Sequence, residues 1–179
     1  IARRFIPGQP DGMHCLTGLA HDRDSAVAYD PLINQEGMER RSLKLATLQK
    51  TLTTPTVYGD PEGELLVIGW GSSKGAIEEA VDRVRQDGHK VSSLHLTFLQ
   101  PLPSGLKEIL HGFKSVMTVE NSWSDDPASE IIDEDNRRYS NLAWLLRARY
   151  LVDIDCWSEV KGQPLKPGTV ARVITEHLQ

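Results

Sequence analysis

The sequence predicts an α/β protein, a three-layer sandwich around a mostly parallel central sheet. Three observations predict it. From Glu64 onward, short apolar runs alternate with segments whose apolar residues recur at i, i+3, i+4 and i+7. Glycine, serine or proline punctuates each junction. Strands separated by helices imply parallel pairing with right-handed crossovers.

The elements follow in order. Residues 1–30 are rich in Gly, Pro and Asp, show no apolar period, and read as a connecting segment. From Pro31 to Leu52 the pattern is helical, with Met38, Leu45, Leu48 and Leu52 on one stripe and Glu39, Arg40, Lys44 and Lys50 around it. Thr53, Thr54 and Pro55 stop it. Residues 1–60 are therefore expected to form a linker and connecting helix, and residues 61–179 the α/β domain. In that domain Leu65 to Trp70 is the first strand, followed by a helix burying Ile77, Ala80, Val81 and Val84 and ending at Gly88, a left-handed cap. Val91 to Leu96 is the next strand. Pro101, Leu102 and Pro103 then lead to a short helix at Leu106, Ile109 and Leu110, stopped by Gly112, and to a third strand from Ser115 to Val119. Leu142 to Tyr150 reads as a helix and Leu151 to Cys156 as a fourth strand. Thr169 is expected to cap a last helix that turns Val170, Val173, Ile174 and Leu178 inward.

Composition narrows the function. No apolar run approaches the roughly 18 residues of a membrane span, so no membrane partner is expected. The net charge of −5 is concentrated between Asn121 and Ser140, where Asp125, Asp126, Glu130, Asp133, Glu134 and Asp135 face only Arg137 and Arg138. With no basic stripe elsewhere, nucleic-acid binding has little electrostatic support. Cys15 and Cys156 stand far apart without Cys or His partners at ligand spacing, which excludes an iron–sulfur cluster or structural zinc built from this chain alone and fits a reducing cytoplasm. The start at Ile1, without methionine or signal-type segment, suggests a piece of a longer chain.

The turn from Gly69 to Gly75 carries the catalytic candidates. Gly69, Gly71 and Gly75 give GxGxxxG, one residue longer than the dinucleotide fingerprint. The acid that would bind a ribose is missing, because no Asp or Glu lies between Asp87 and Glu108. Lys74 lacks the glycine–lysine–serine order of a phosphate-binding loop. Gly71, Ser73 and Gly75 also spell GxSxG, which would make Ser73 a hydrolase nucleophile with Asp153 or Asp155 as acid and His177 as base. Against it, about 60 irregular and helical residues precede the turn where several strands are needed, and His177 lies inside the last helix. The plainer reading is a tight strand-to-helix passage with Ser72 or Ser73 capping the helix. A non-catalytic binding module remains a third possibility.

His14, His21 and Asp22 cluster in the glycine-rich segment and are candidates for contact with a ligand. His89, His95 and His111 fall at a strand entrance, a strand end and a helix end, where surface or hydrogen-bonded histidines are usual. A metal site would need more ligands at fixed spacing. Trp123, Trp144 and Trp157 read as core or interface anchors.

An ordered series of segments resembles the C-terminal region of the α subunit of 2-oxoacid:ferredoxin oxidoreductases, especially the 2-oxoglutarate type. IARRFIPGQPDG at the start and TGLAHD at 17–22 resemble the segment leaving the family's pyrimidine-binding domain; MERRSLKL resembles the linking helix. VIGWGSSKGAIEEAV, GHKVSSLHLTFLQPLP and VMTVEN resemble the core of its transketolase C-terminal-like domain, and LAWLLR the helix after it.

The resemblance implies an oxidoreductase converting a 2-oxoacid and coenzyme A to acyl-CoA and carbon dioxide. Thiamine diphosphate, magnesium and iron–sulfur clusters would serve the whole enzyme, with ferredoxin as electron acceptor. Its thiamine site needs a pyrimidine-binding domain and a β subunit, so this segment is expected to be structural and interface-forming. It would bind no cofactor alone and hold no catalytic, cofactor-binding or metal residue. Two departures stand out. Ala20 and Arg23 occupy positions around His21 where the family has acids, and an acidic insertion of about 18 residues separates Glu120–Asn121 from Ser140–Asn141, which replaces the family's Gly-Gln. Because ferredoxins are typically acidic, like-charge repulsion argues against that insertion as their docking site.

Overall fold

In the computed structural model, which describes residues 5–14 and 16–179, the chain divides into two compact units at residues 1–51 and 52–179. Cys15 and the first four residues of the opening motif lie outside the described residues.

In the first unit, the described residues before Pro31 include an isolated antiparallel bridge between His21 and Val27. Helix α1, Pro31–Gln49, starts with Pro31 in its first turn and Asp30 as cap, the Asp30 carboxylate accepting the Leu32 N–H at 2.7 Å. Its expected apolar stripe buries nothing in this chain: Met38 and Leu48 are exposed, as is Leu43.

The second unit carries a five-stranded sheet in the order β1-β3-β2-β4-β5. The strands are β1 (Val57–Tyr58), β2 (Gly63–Trp70), β3 (Val91–Leu96), β4 (Phe113–Glu120) and β5 (Asp155–Ser158). All neighbours pair in parallel except β1, an antiparallel edge on β3. The compact unit begins at Leu52, and Val57 and Tyr58 are drawn into its sheet. Helices α2 (Lys74–Gln86) and α5 (Pro167–His177) lie on one face, and α3 (Leu106–His111) and α4 (Asn141–Tyr150) on the other.

The three layers follow from period-two burial on both faces of β2. Leu65 and Val67 join Val81, Val84, Val170 and Ile174 on the α2/α5 side. Leu66 and Ile68 join Leu106, Leu110, Leu142 and Leu146 on the other. A parallel strand covered on both faces has no polar side to show. That is why β2 reads as an unbroken apolar run.

Two local expectations shift. Leu151–Ile154 is not strand: Leu151 takes φ +55° as the left-handed cap of α4, so β5 starts only at Asp155. Helix α5 begins at Pro167 after Lys166, so Thr169 lies within its first turn and does not cap it. Gly88 has φ +95° just beyond α2, as a left-handed cap requires.

Candidate functional site

The turn after β2 is narrow for a reason the sequence hides. Gly71 has φ +61°, yet a Cβ there would meet nothing within 4 Å. The close approach is at Gly69, where a Cβ would lie 2.3 Å from Ile77 Cδ1 and 2.6 Å from Ser73 Oγ. Gly69 lets β2 run against α2; Gly71 lets the chain reverse.

Ser73 is buried, and its hydroxyl donates to the Trp70 carbonyl at 2.8 Å. It does not cap α2, and no side chain does. The hydrolase reading also fails on topology. Ser73 follows the carboxyl end of β2, whereas Asp155 opens β5 in register with Met117, itself opposite Val67 in the middle of β2. His177 ends α5 with Nδ1 3.6 Å from Asp155 Oδ2, and Asp153 is an exposed partner of Arg147. The acid and the base meet each other, far from the serine. The end of β3 offers no ribose acid either: it carries His95, whose ring is held toward the neutral form by burial first and by Lys74 second, against Glu78.

The polar centre of the domain is at the end of β4. Glu120 is 1% exposed, and its carboxylate lies on the N-terminus of α4, accepting the Leu142 N–H at 3.0 Å and the Ala143 N–H at 3.2 Å. These N–H groups have no partner inside the helix, and the helix dipole favours an anion there. The hydroxyls of Ser140 and Ser122, the latter at 2.7 Å, and the Trp70 indole at 3.4 Å complete the shell. Thr118 lies 3.2 Å from the Ser140 hydroxyl. Glu120 therefore ties β4, β2 and α4 together, with both oxygens committed. The sequence marks Glu120 as part of VMTVEN and as the residue from which the acidic insertion leaves, without its role; the signal for that role is a glutamate closing an apolar strand, with serines at 122 and 140.

The acidic segment leaves this centre and returns to it. At its base Asp125 and Arg138 form a fork, Nε to Oδ2 at 3.0 Å and Nη2 to Oδ1 at 2.7 Å, closed by the backbone bond from Asp125 N to Arg138 O at 2.9 Å. The Arg138 side chain and backbone N–H, with the Trp123 indole, hold the Asp125 carboxyl far below the usual carboxylate range. Arg137 pairs with Asp155 at 2.6 Å. Beyond the base, the side chains of Asp126, Asp133 and Asn136 bond nearby backbone in tight turns. Of the three tryptophans read as anchors, Trp157 packs on the α2/α5 core, while Trp123 and Trp144 are exposed.

The glycine-rich segment brings its candidates into local bonds. His14 Nδ1 lies 2.7 Å from Gly12 O, His21 Nε2 lies 3.2 Å from Thr17 Oγ1, and Asp22 Oδ1 accepts the N–H groups of Asp24 and Ala26, both at 2.9 Å. Among the described residues no three His, Cys, Asp or Glu side chains are grouped to hold a metal. No helix among them is long and apolar enough to cross a membrane.

Comparison with known proteins adds a family dimension. The family model for pyruvate:ferredoxin oxidoreductase core domain II matches residues 63–144. The chain is similar to the 2-oxoglutarate oxidoreductase subunit KorA of Mycobacterium tuberculosis, 35% identical over 97% of this chain and 24% of that one. It is also similar to the α subunit of 2-oxoacid:ferredoxin oxidoreductase 1 of Aeropyrum pernix, 32% identical over 77% of this chain and 23% of that one. The chain thus spans about a quarter of the length of these relatives. Its fold matches 2-oxoglutarate:ferredoxin oxidoreductase from Magnetococcus marinus, solved with 2-oxoglutarate, coenzyme A and succinyl-CoA bound. The TM-score is 0.71 at 23% identity, over 97% of this chain and 28% of that one.

Proposed function

We propose, from the premise that the chain belongs to the α-subunit family of 2-oxoacid:ferredoxin oxidoreductases, that it is a structural and interface-forming domain of such an enzyme. The whole enzyme would convert a 2-oxoacid and coenzyme A to acyl-CoA and carbon dioxide and reduce ferredoxin, with 2-oxoglutarate as the first substrate to test. The observation that carries this reading is the 35% identity to a 2-oxoglutarate oxidoreductase subunit along 97% of the chain.

The residues present do not fit the redox group of that chemistry. Its clusters take cysteine thiolates, and the sequence has two cysteines, of which Cys156 is buried beneath Arg137. At the carboxyl end of β4, Glu120 is spent on α4 and is not free for a thiamine cofactor or its magnesium. No step is therefore assigned to a side chain of this domain. Its own work is mechanical: a three-layer body whose β4–α4 joint is locked by a buried carboxylate.

The test is reconstitution. The full-length α subunit that contains this chain, co-produced with its β subunit, should reduce ferredoxin when given 2-oxoglutarate and coenzyme A, and the isolated chain should not. Turnover by the isolated chain, or none by the assembly with any 2-oxoacid, would overturn the reading.

A further inference from the structure

Strand β5 is an edge of the sheet, with β4 on one side only. The Glu159 N–H donates to Glu120 O at 3.1 Å, so odd-numbered residues turn their backbone toward β4. Cys156 and Ser158 turn theirs outward. An outward row of unpaired N–H and C=O groups is a template on which another strand can add.

From Ile154 to Cys156 that row is already taken, and by side chains. The Ile154 carbonyl accepts from Arg147 Nη1 at 2.8 Å, and the Cys156 carbonyl from Arg137 Nη2 at 3.4 Å. The Cys156 N–H donates to its neighbour's carboxylate, Asp155 Oδ1, at 2.8 Å. Both guanidiniums sit over the Tyr139 ring, 4.5 Å from its centroid for Arg137 and 4.4 Å for Arg147. The same nitrogens pair with carboxylates, Arg137 Nη2 with Asp155 and Arg147 Nη1 with Asp153. Further along, Ser124 N donates to Ser158 Oγ at 2.9 Å. Arg137, Tyr139 and Ser124 all come from the segment between β4 and α4.

We propose that this segment, with Arg147 of α4, is an edge seal that keeps a second copy of the chain from extending the sheet at β5. Planar guanidiniums suit the task, since each can cap a carbonyl and pair with a carboxylate at once. The antiparallel partner being excluded is β5 of the other copy, the arrangement a two-fold axis generates at a free edge. The acidic tip beyond the seal adds repulsion between two such edges.

The test compares the 179-residue chain with its Arg137→Ala/Arg147→Ala variant by sedimentation velocity over a wide concentration range, with amide hydrogen exchange on both. The variant should self-associate at concentrations where the unsubstituted chain does not, and association should slow exchange at Ser158. A folded variant that associates no more than the unsubstituted chain overturns the proposal. Association without protection at Ser158 also overturns it. If the variant loses its native circular dichroism, exchange in the unsubstituted chain decides. A sealed edge slows the Cys156 amide at every concentration, and exchange there as fast as in the acidic tip overturns the seal.

Discussion

The Glu120 carboxylate accepts a hydrogen bond from the hydroxyl of Ser140, 20 positions further along the chain, and thereby joins the end of β4 directly to the start of α4. Ser140 precedes α4 without capping it; the cap is Glu120, reaching the Leu142 and Ala143 N–H groups. The acidic segment can thus be long without loosening the β4–α4 joint. Glu120→Ala would strand the two helix N–H groups and two hydroxyls in a buried site, a loss of about 3 kcal/mol. Ser140→Ala removes one donor, and about 1 kcal/mol is expected. Urea unfolding followed by tryptophan fluorescence measures both; equal losses would contradict the assignment.

Asp125 makes the base of the acidic segment sensitive to acid. Its folded-state pKa lies below the unfolded value of about 3.9, chiefly through the Arg138 side chain. The sign follows: the stabilisation is present above the unfolded value and is lost as pH falls from about 4 through the folded value. The Trp123 indole donates to Asp125 Oδ1 at 3.0 Å, so tryptophan fluorescence reports the event. Asp125→Asn should lower the melting temperature at neutral pH, and the gap to the unsubstituted chain should close in acid. A gap that stays constant would rule out the pairing as its source.

The two glycines of the β2 turn should answer differently to substitution. Gly69→Ala meets Ile77 and Ser73, and overpacking of this kind costs about 1–3 kcal/mol. Gly71→Val meets no neighbour, so its cost is backbone strain alone, about 1–2 kcal/mol. The sequence suggests a tight strand-to-helix passage; the structure puts its close approach at Gly69. Thermal melts of the two variants separate the mechanisms, because Gly71→Ala should cost nearly as much as Gly71→Val if only φ matters.

Ser73 is expected to resist fluorophosphonate labelling, since its hydroxyl is buried against the Trp70 carbonyl. Stoichiometric labelling in the folded chain, lost in Ser73→Ala, would restore the hydrolase reading.

Leu151 offers a gain. It is 90% exposed and holds φ +55° at the end of α4. A leucine there carries strain with no burial in return, so Leu151→Gly should raise stability by up to about 1 kcal/mol. A lower melting temperature for this variant would mean that the exposed leucine is packed in solution.

Periodicity carried most of the fold. The 3.6-residue spacing of Ile77, Ala80, Val81 and Val84 marks a helix face, and all four are buried on the α2/α5 side. Val91 to Leu96 matches β3 at both ends. The misplaced fourth strand shows the limit: Leu151 and Val152 are apolar enough for a strand, but Leu151 is spent on ending α4. Val57 and Tyr58 were illegible as strand because two residues carry no period and are fixed only by pairing with Leu94 and Ser93.

The sequence by itself determined the βα alternation, the turn glycines, the acidic segment and the family resemblance, because each is written in local spacing or in an ordered series of short motifs. Only the tertiary structure decided what the polar residues do. Ser73, which the GxSxG pattern offers as an alternative nucleophile, is a buried donor to Trp70; Asp155 and His177 meet each other instead of Ser73. Glu120, Ser140, Arg137 and Arg147 became a capped joint and a covered edge. The physical reason is range. A hydrophobic period is a property of neighbouring residues, whereas a buried carboxylate or an edge guanidinium takes its role from partners that the sheet order brings near.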